Sequence, residues 1–145
     1  MSRTVLVLNG PNLNRLGVRE PDVYGRTTFA ELSQMCREAA ESYGMSADIR
    51  QTNDEAQLID WLHEAADQGL PVVMNPAAFT HYSYALRDAC AMLTAPLIEV
   101  HLSNPSAREE FRHTSVIAGV ASGTIAGFGV DSYLLALEQI ARLTA

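Results

Sequence analysis

Glu99 and His101 stand two residues apart in the stretch Leu97-Ile98-Glu99-Val100-His101-Leu102-Ser103-Asn104-Pro105. Leu97, Ile98, Val100 and Leu102 read as a buried strand. Its period of two sends Glu99 and His101 to the same face. A carboxylate and an imidazole in a core strand cost desolvation unless they are paired or used. An imidazole ordinarily titrates near pH 6.5, so it can give or take a proton at neutral pH. Glu99 is expected to hold it indirectly, through a neighbour or a water. This stretch alone does not separate a working pair from one merely satisfied in the core.

Pro105 ends the strand, since proline donates nothing to a ladder. Ser103 and Asn104 therefore belong at its carboxyl end, where open α/β sheets bind ligands. Asn12, after the apolar run Thr4–Leu8, and Asn75, after Pro71–Met74, fall at the ends of two further strands. Between Leu13 and Arg26 no helical or strand period is visible. Arg15, Arg19, Glu20, Tyr24 and Arg26 decorate that segment, which reads as a lid or binding loop. Histidine, tyrosine, asparagine and arginine together suit proton transfer beside a carbonyl, with the resulting anion held by amides and guanidinium groups. On these residues alone Tyr24 reads first as a packing residue in a turn.

The strands alternate with amphipathic segments. Thr28 with Glu31, Thr52 with Glu55 and Ser106 with Glu109 have capping-box spacing. Helices are expected from Thr28 to Gly44, Thr52 to Gly69, Ser83 to Met92 and after Ser106, with a last one capped by Asp131. A second, short strand carries Ala47 and Ile49, and a fifth runs from Ser122 to Phe128. The order strand–helix–strand implies a parallel sheet with right-handed crossovers. The expected fold is a single α/β domain over residues 1–145, three-layered, doubly wound and flavodoxin-like, with strand order 2-1-3-4-5. Asn12, Asn75, His101 and Ser103 then converge on the switch-point crevice.

Composition narrows the chemistry. The chain has 145 residues, 48% of them hydrophobic, and a net charge of −7. That charge argues against nucleic acid and anionic membrane surfaces as partners. No apolar run approaches a membrane span, and no signal-peptide core precedes the first strand. All ten basic residues are arginine, which removes lysine Schiff-base chemistry and the phosphate-loop lysine. His63, His81, His101 and His113 lack ligand spacing, so no metal is expected. Cys36 and Cys90 read as buried free thiols, consistent with a cytoplasmic protein. The late glycines do not form a dinucleotide fingerprint, and Ser103 lacks a nucleophile elbow. A flavin- or phosphate-binding module, or another lyase or isomerase acting on a ring acid, stands as the alternative.

Several motifs occur in order: Asn9-Gly-Pro-Asn12-Leu, Arg19-Glu-Pro with Tyr24-Gly25, Asn75-Pro76 through Thr80-His81, Ala85-Leu-Arg-Asp88-Ala89, Glu99-Val-His101-Leu-Ser103-Asn104 and Ala107-Arg108-Glu-Glu-Phe-Arg112. Together they resemble the type II 3-dehydroquinate dehydratases, over nearly the whole chain. The resemblance implies a flavodoxin-like fold, no cofactor, and trans dehydration of 3-dehydroquinate to 3-dehydroshikimate through an enolate. It implies Tyr24 as general base, Arg19 as its promoter, Asn12 as enolate stabiliser through a water, and His101 as general acid. It further implies substrate contacts from Asn75, His81, Arg112 and the backbone amides of Leu102 and Ser103. Glu99 and Arg108 would support from behind. Asp88 would reach a neighbouring subunit's site in a homo-oligomer, a dodecamer built from trimers. The sequence departs from the usual pattern at Ala77, Tyr82, Tyr84, Ser106, Val116 and Ser132.

Overall fold

The computed structural model describes residues 3–145. Five strands, β1 (Arg3–Asn9), β2 (Met45–Gln51), β3 (Val72–Asn75), β4 (Leu97–His101) and β5 (Gly123–Ala126), form one parallel sheet in the order β2-β1-β3-β4-β5. This is the expected doubly wound topology. Between the strands lie α1 (Pro21–Tyr24), α2 (Phe29–Ser42), α3 (Glu55–Gln68) and α4 (Tyr84–Ala91), and α5 (Asp131–Leu143) follows β5.

Both faces of the sheet are covered, which is why β1 and β3 read as unbroken apolar runs. Val5, Val7, Val73, Ile98 and Val100 pack with Leu32 and Cys36 of α2 and Leu137 and Ile140 of α5. Leu6, Leu8, Val72, Met74 and Leu97 pack with Leu58 and Leu62 of α3 and Leu86 and Cys90 of α4. Glu99 and His101 alternate with Ile98 and Val100, so they project on the α3–α4 side of β4. Cys36 and Cys90 are free and buried, as expected, and burial pushes both thiols up to about 12.

Several boundaries differ from the sequence expectation. Thr28 and Glu31 do form a capping box. The cap of α3, however, is Asp54, whose side chain accepts from Ala56 N–H, while Thr52 Oγ1 accepts from Asp54 N–H. Glu55 is thereby the first helical residue and too early for the reciprocal bond. No α-helix forms in the segment directly after Ser106. Asn104 caps a 3-10 turn over Pro105–Ala107, Arg108 is extended, and a second 3-10 turn runs over Glu110–His113. Asp131 begins α5 rather than capping it, because Val130 is already helical. Strand β5 is shorter than expected, since Gly127 turns the chain at φ +96°. The 13–26 segment is not featureless. It holds a 3-10 turn over Leu13–Arg15 and the four-residue α1, with Pro21 at its first position, both too short to show a period. Leu13 and Leu16 bury into the α2–α5 core and anchor its first half.

At the carboxyl ends of β1 and β3 the backbones nearly touch. Gly10 N–H donates to Asn75 O at 2.9 Å. A Cβ at Gly10 would sit 2.7 Å from Pro76 O, so only glycine admits this approach.

Candidate active site

One crevice at the carboxyl ends of β1, β3 and β4 gathers Asn12, Arg19, Tyr24, Asn75, His81, His101, Leu102, Ser103, Arg108 and Arg112. Three short segments supply most of them. The turn after β1 carries Asn12 at φ 71°, with its N–H held by Asn53 Oδ1 at 2.9 Å. The 13–26 segment supplies Arg19 and Tyr24, and the paired 3-10 turns after β4 supply Arg108 and Arg112. Asp88 is not among these residues. It lies exposed on α4 and does not line this chain's crevice.

Glu99 and His101 meet directly, with His101 Nε2 2.6 Å from Glu99 Oε2. This corrects the expectation of an indirect contact through a neighbour or a water. Two residues on one strand face are close enough for a glutamate to reach an imidazole unaided. Glu99 is fully buried. Thr80 Oγ1 donates to its Oε2 at 2.5 Å, and Ser115 Oγ lies 2.9 and 3.1 Å from its two oxygens. Burial alone would raise its pKa. The bonds from His101, Thr80 and Ser115 outweigh burial and leave the carboxyl below its ordinary range. Glu99 is therefore an anion with both oxygens within hydrogen-bond reach of donors, and it fixes which imidazole nitrogen faces inward.

Tyr24 sits between two guanidinium groups. Arg19 Cζ is 4.8 Å and Arg108 Cζ 5.1 Å from its ring centroid. The turn of α1 brings Arg19 and Tyr24 together despite four intervening residues. Arg19 also pairs with Glu20 at 3.2 Å. Arg108, expected to stand behind the site, lines it, and its Nη1 donates to Ser103 Oγ at 3.2 Å. Arg112 Nε is tied to Glu109 at 3.1 Å and its guanidinium rests on Phe111, 4.6 Å from that ring's centroid. His81 Nδ1 donates to Thr114 O at 2.8 Å, which leaves Nε2 free for the crevice.

Arg19, Arg108 and Arg112 give a negatively charged protein a local cationic pocket. Such a pocket suits a small anion. Among the described residues, no group of three or more His, Cys, Asp or Glu side chains is placed to hold a metal ion. Among them, too, no helix is long and apolar enough to cross a membrane. Sequence reasoning missed Ser115 as a partner of Glu99. Nothing local marks it, because the contact spans 16 residues and depends on the 3-10 turns.

Residues 3–141 match the family model described as Dehydroquinase class II. A 3-dehydroquinate dehydratase of Salinispora tropica is 61% identical over 137 residues, covering 94% of this chain and 96% of the relative. The 3-dehydroquinate dehydratase 2 of Pseudomonas aeruginosa is 56% identical over 142 residues, covering 98% and 96%. Among solved structures, the type II dehydroquinase from Propionibacterium acnes superimposes with a TM-score of 0.96 at 51% identity, covering 98% of each chain. The parallel sheet, the crevice and these likenesses agree, and the chain belongs to the class II dehydroquinase family.

Proposed function

We propose that this protein is a hydro-lyase that dehydrates 3-dehydroquinate to 3-dehydroshikimate in the shikimate pathway. Tyr24, as phenolate, takes the proton on the carbon beside the ketone, and the electron pair moves to the carbonyl oxygen as an enolate. The enolate collapses and expels the β-hydroxyl, which takes a proton from His101 and leaves as water. The product is a conjugated enone. Arg19 stabilises the phenolate, and Asn12 holds a water against the enolate oxygen. Asn75 and the amides of Leu102 and Ser103 receive the substrate carboxylate, while His81 and Arg112 receive ring hydroxyls. Placing base and acid on separate segments across the crevice suits a trans elimination. Glu99 keeps His101 oriented as a donor, and Arg108 adds charge beside Tyr24. Each step uses only groups of the chain, with no cofactor.

The observation that carries this reading is Tyr24 between two guanidiniums in the crevice that also holds the Glu99–His101 pair. We further read the protein as cytoplasmic and as a homo-oligomer of trimers, up to a dodecamer, in which Asp88 reaches a neighbour's crevice. Purified protein given 3-dehydroquinate should generate the ultraviolet absorbance of the enone. No absorbance change with 3-dehydroquinate, alongside turnover of another β-hydroxy ketone acid, would replace the substrate and keep the chemistry.

A further inference from the structure

Tyr133 is a fully buried tyrosine on α5 whose hydroxyl points at the ends of β1 and β3 rather than into the crevice. Its Oη donates to Asn9 Oδ1 at 2.6 Å and accepts from Asn75 Nδ2 at 3.0 Å. Asn9 and Asn75 are register partners at the last rungs of the central strands. The polarity of this chain has no freedom. Asn9's amide nitrogen lies 3.3 Å from Val7 O and 3.0 Å from Arg50 O. Two carbonyls demand a donor, so the other atom of that amide must be the oxygen. The phenol then has an acceptor in front of it and must donate. Burial pushes the phenol's pKa up, so it keeps the proton it donates. The atom of Asn75 beside the phenol must in turn be nitrogen. The far side agrees independently, because Ala77 N–H donates to Asn75 Oδ1 at 3.0 Å.

We infer that Tyr133 is a positioning residue. Through its hydroxyl, it locks the Asn75 side-chain amide with its nitrogen fixed and one N–H left over for the ligand in the crevice. Asn75 lines that crevice yet is almost entirely buried. Its nitrogen has two hydrogens, and Tyr133 takes one. The other is presented without any search of rotamers, because hydrogen bonds clamp both ends of the amide. The orientation originates at the Arg50 and Val7 carbonyls, passes through Asn9 and Tyr133, and ends at Asn75. A directed N–H of this kind discriminates for an acceptor oxygen, such as that of a carboxylate, and against a donor. The inference rests on the substrate-binding role proposed above for Asn75.

The test is a double-mutant cycle with 3-dehydroquinate, run alongside crystal structures. Tyr133→Phe keeps the ring and removes the relay. It should lower kcat/KM about tenfold, the effect of one hydrogen bond to a charged group at its lower end, and mostly through KM. In an Asn75→Ala background the same change should alter kcat/KM less than twofold. A merely structural tyrosine would give the same loss in both backgrounds, and that result overturns the inference. In the crystal, Tyr133→Phe should show the Asn75 side chain turned from its wild-type rotamer or bonded to a new water. An unchanged Asn75 with no new partner also overturns it. This second readout needs no turnover, so a wild-type enzyme inactive on 3-dehydroquinate would sink the proposed function and leave the clamp still testable. Should Tyr133→Phe not fold, Asn9→Ala removes the phenol's acceptor and should show the same dependence on Asn75.

Discussion

In the proposed mechanism His101 and Tyr24 would carry opposite ends of one proton inventory, and their substitutions should then read differently from those of binding residues. Expelled hydroxide is a poor leaving group, so a proton from His101 matters mainly in the transition state. His101→Ala should lower kcat by about 10²–10⁴-fold with little change in KM. Tyr24→Phe removes one hydroxyl from a half-buried residue and should leave the fold intact. Its kcat should nevertheless drop by orders of magnitude in the enone assay, whereas a packing tyrosine would be nearly silent. Glu99 makes a different prediction. Its folded-state carboxyl is held below the ordinary range by His101, Thr80 and Ser115. Its contribution to stability is therefore fully present above the unfolded value of about 4.3 and is lost as pH falls below it. Urea midpoints measured from pH 7 downward should fall more steeply in the wild type than in Glu99→Gln. That Glu99 and His101 share a face was legible from their spacing, because a strand puts alternate side chains on one face, but their direct contact was not. Ser115 and the polarity of Asn75 were not, because both depend on contacts between segments far apart in sequence.

Elements place these residues through their ends rather than their middles. Every crevice residue comes from the end of a strand or from the segment that connects it to the next helix or strand. The core strands and long helices were readable from period and caps, since burial on both faces and helical spacing leave strong patterns. The short turns were not, because three or four residues hold no period and several caps compete at each site. The turn after β3 shows what such a segment stores. Ala77 has φ +52°, in the left-handed region, where a Cβ costs about 1–2 kcal/mol. Ala77→Gly should relieve that strain and cost about 0.4–1 kcal/mol in unfolded-state entropy. The net gain should fall between about 0 and about 1.6 kcal/mol, read as a higher urea midpoint. A lower midpoint would mean that Ala77 holds its left-handed conformation at less cost than the unfolded-state entropy glycine adds.

At the scale of the molecule, the sheet order was legible because alternating strands and helices admit few topologies. The assembly was not, because one chain shows only one side of any interface. Asp88 is exposed and outside its own crevice, while Tyr82, Tyr84, Phe111 and Phe128 leave large apolar surface in solvent. Both features suit a closed oligomer. Light scattering should find no active monomer, and Asp88→Ala should impair activity of the assembled enzyme. A fully active monomer would remove Asp88 from the site. The bond between Asn9 and Tyr133 joins residues 124 apart in sequence. A ribosome adding about 5–20 residues per second needs roughly 6–25 s to cover that distance. During that time β1 has been made but the clamp behind its last residue has not. A nascent chain therefore carries Asn12, Tyr24 and even His101 before it owns a finished crevice, and competence arrives only once α5 has been made.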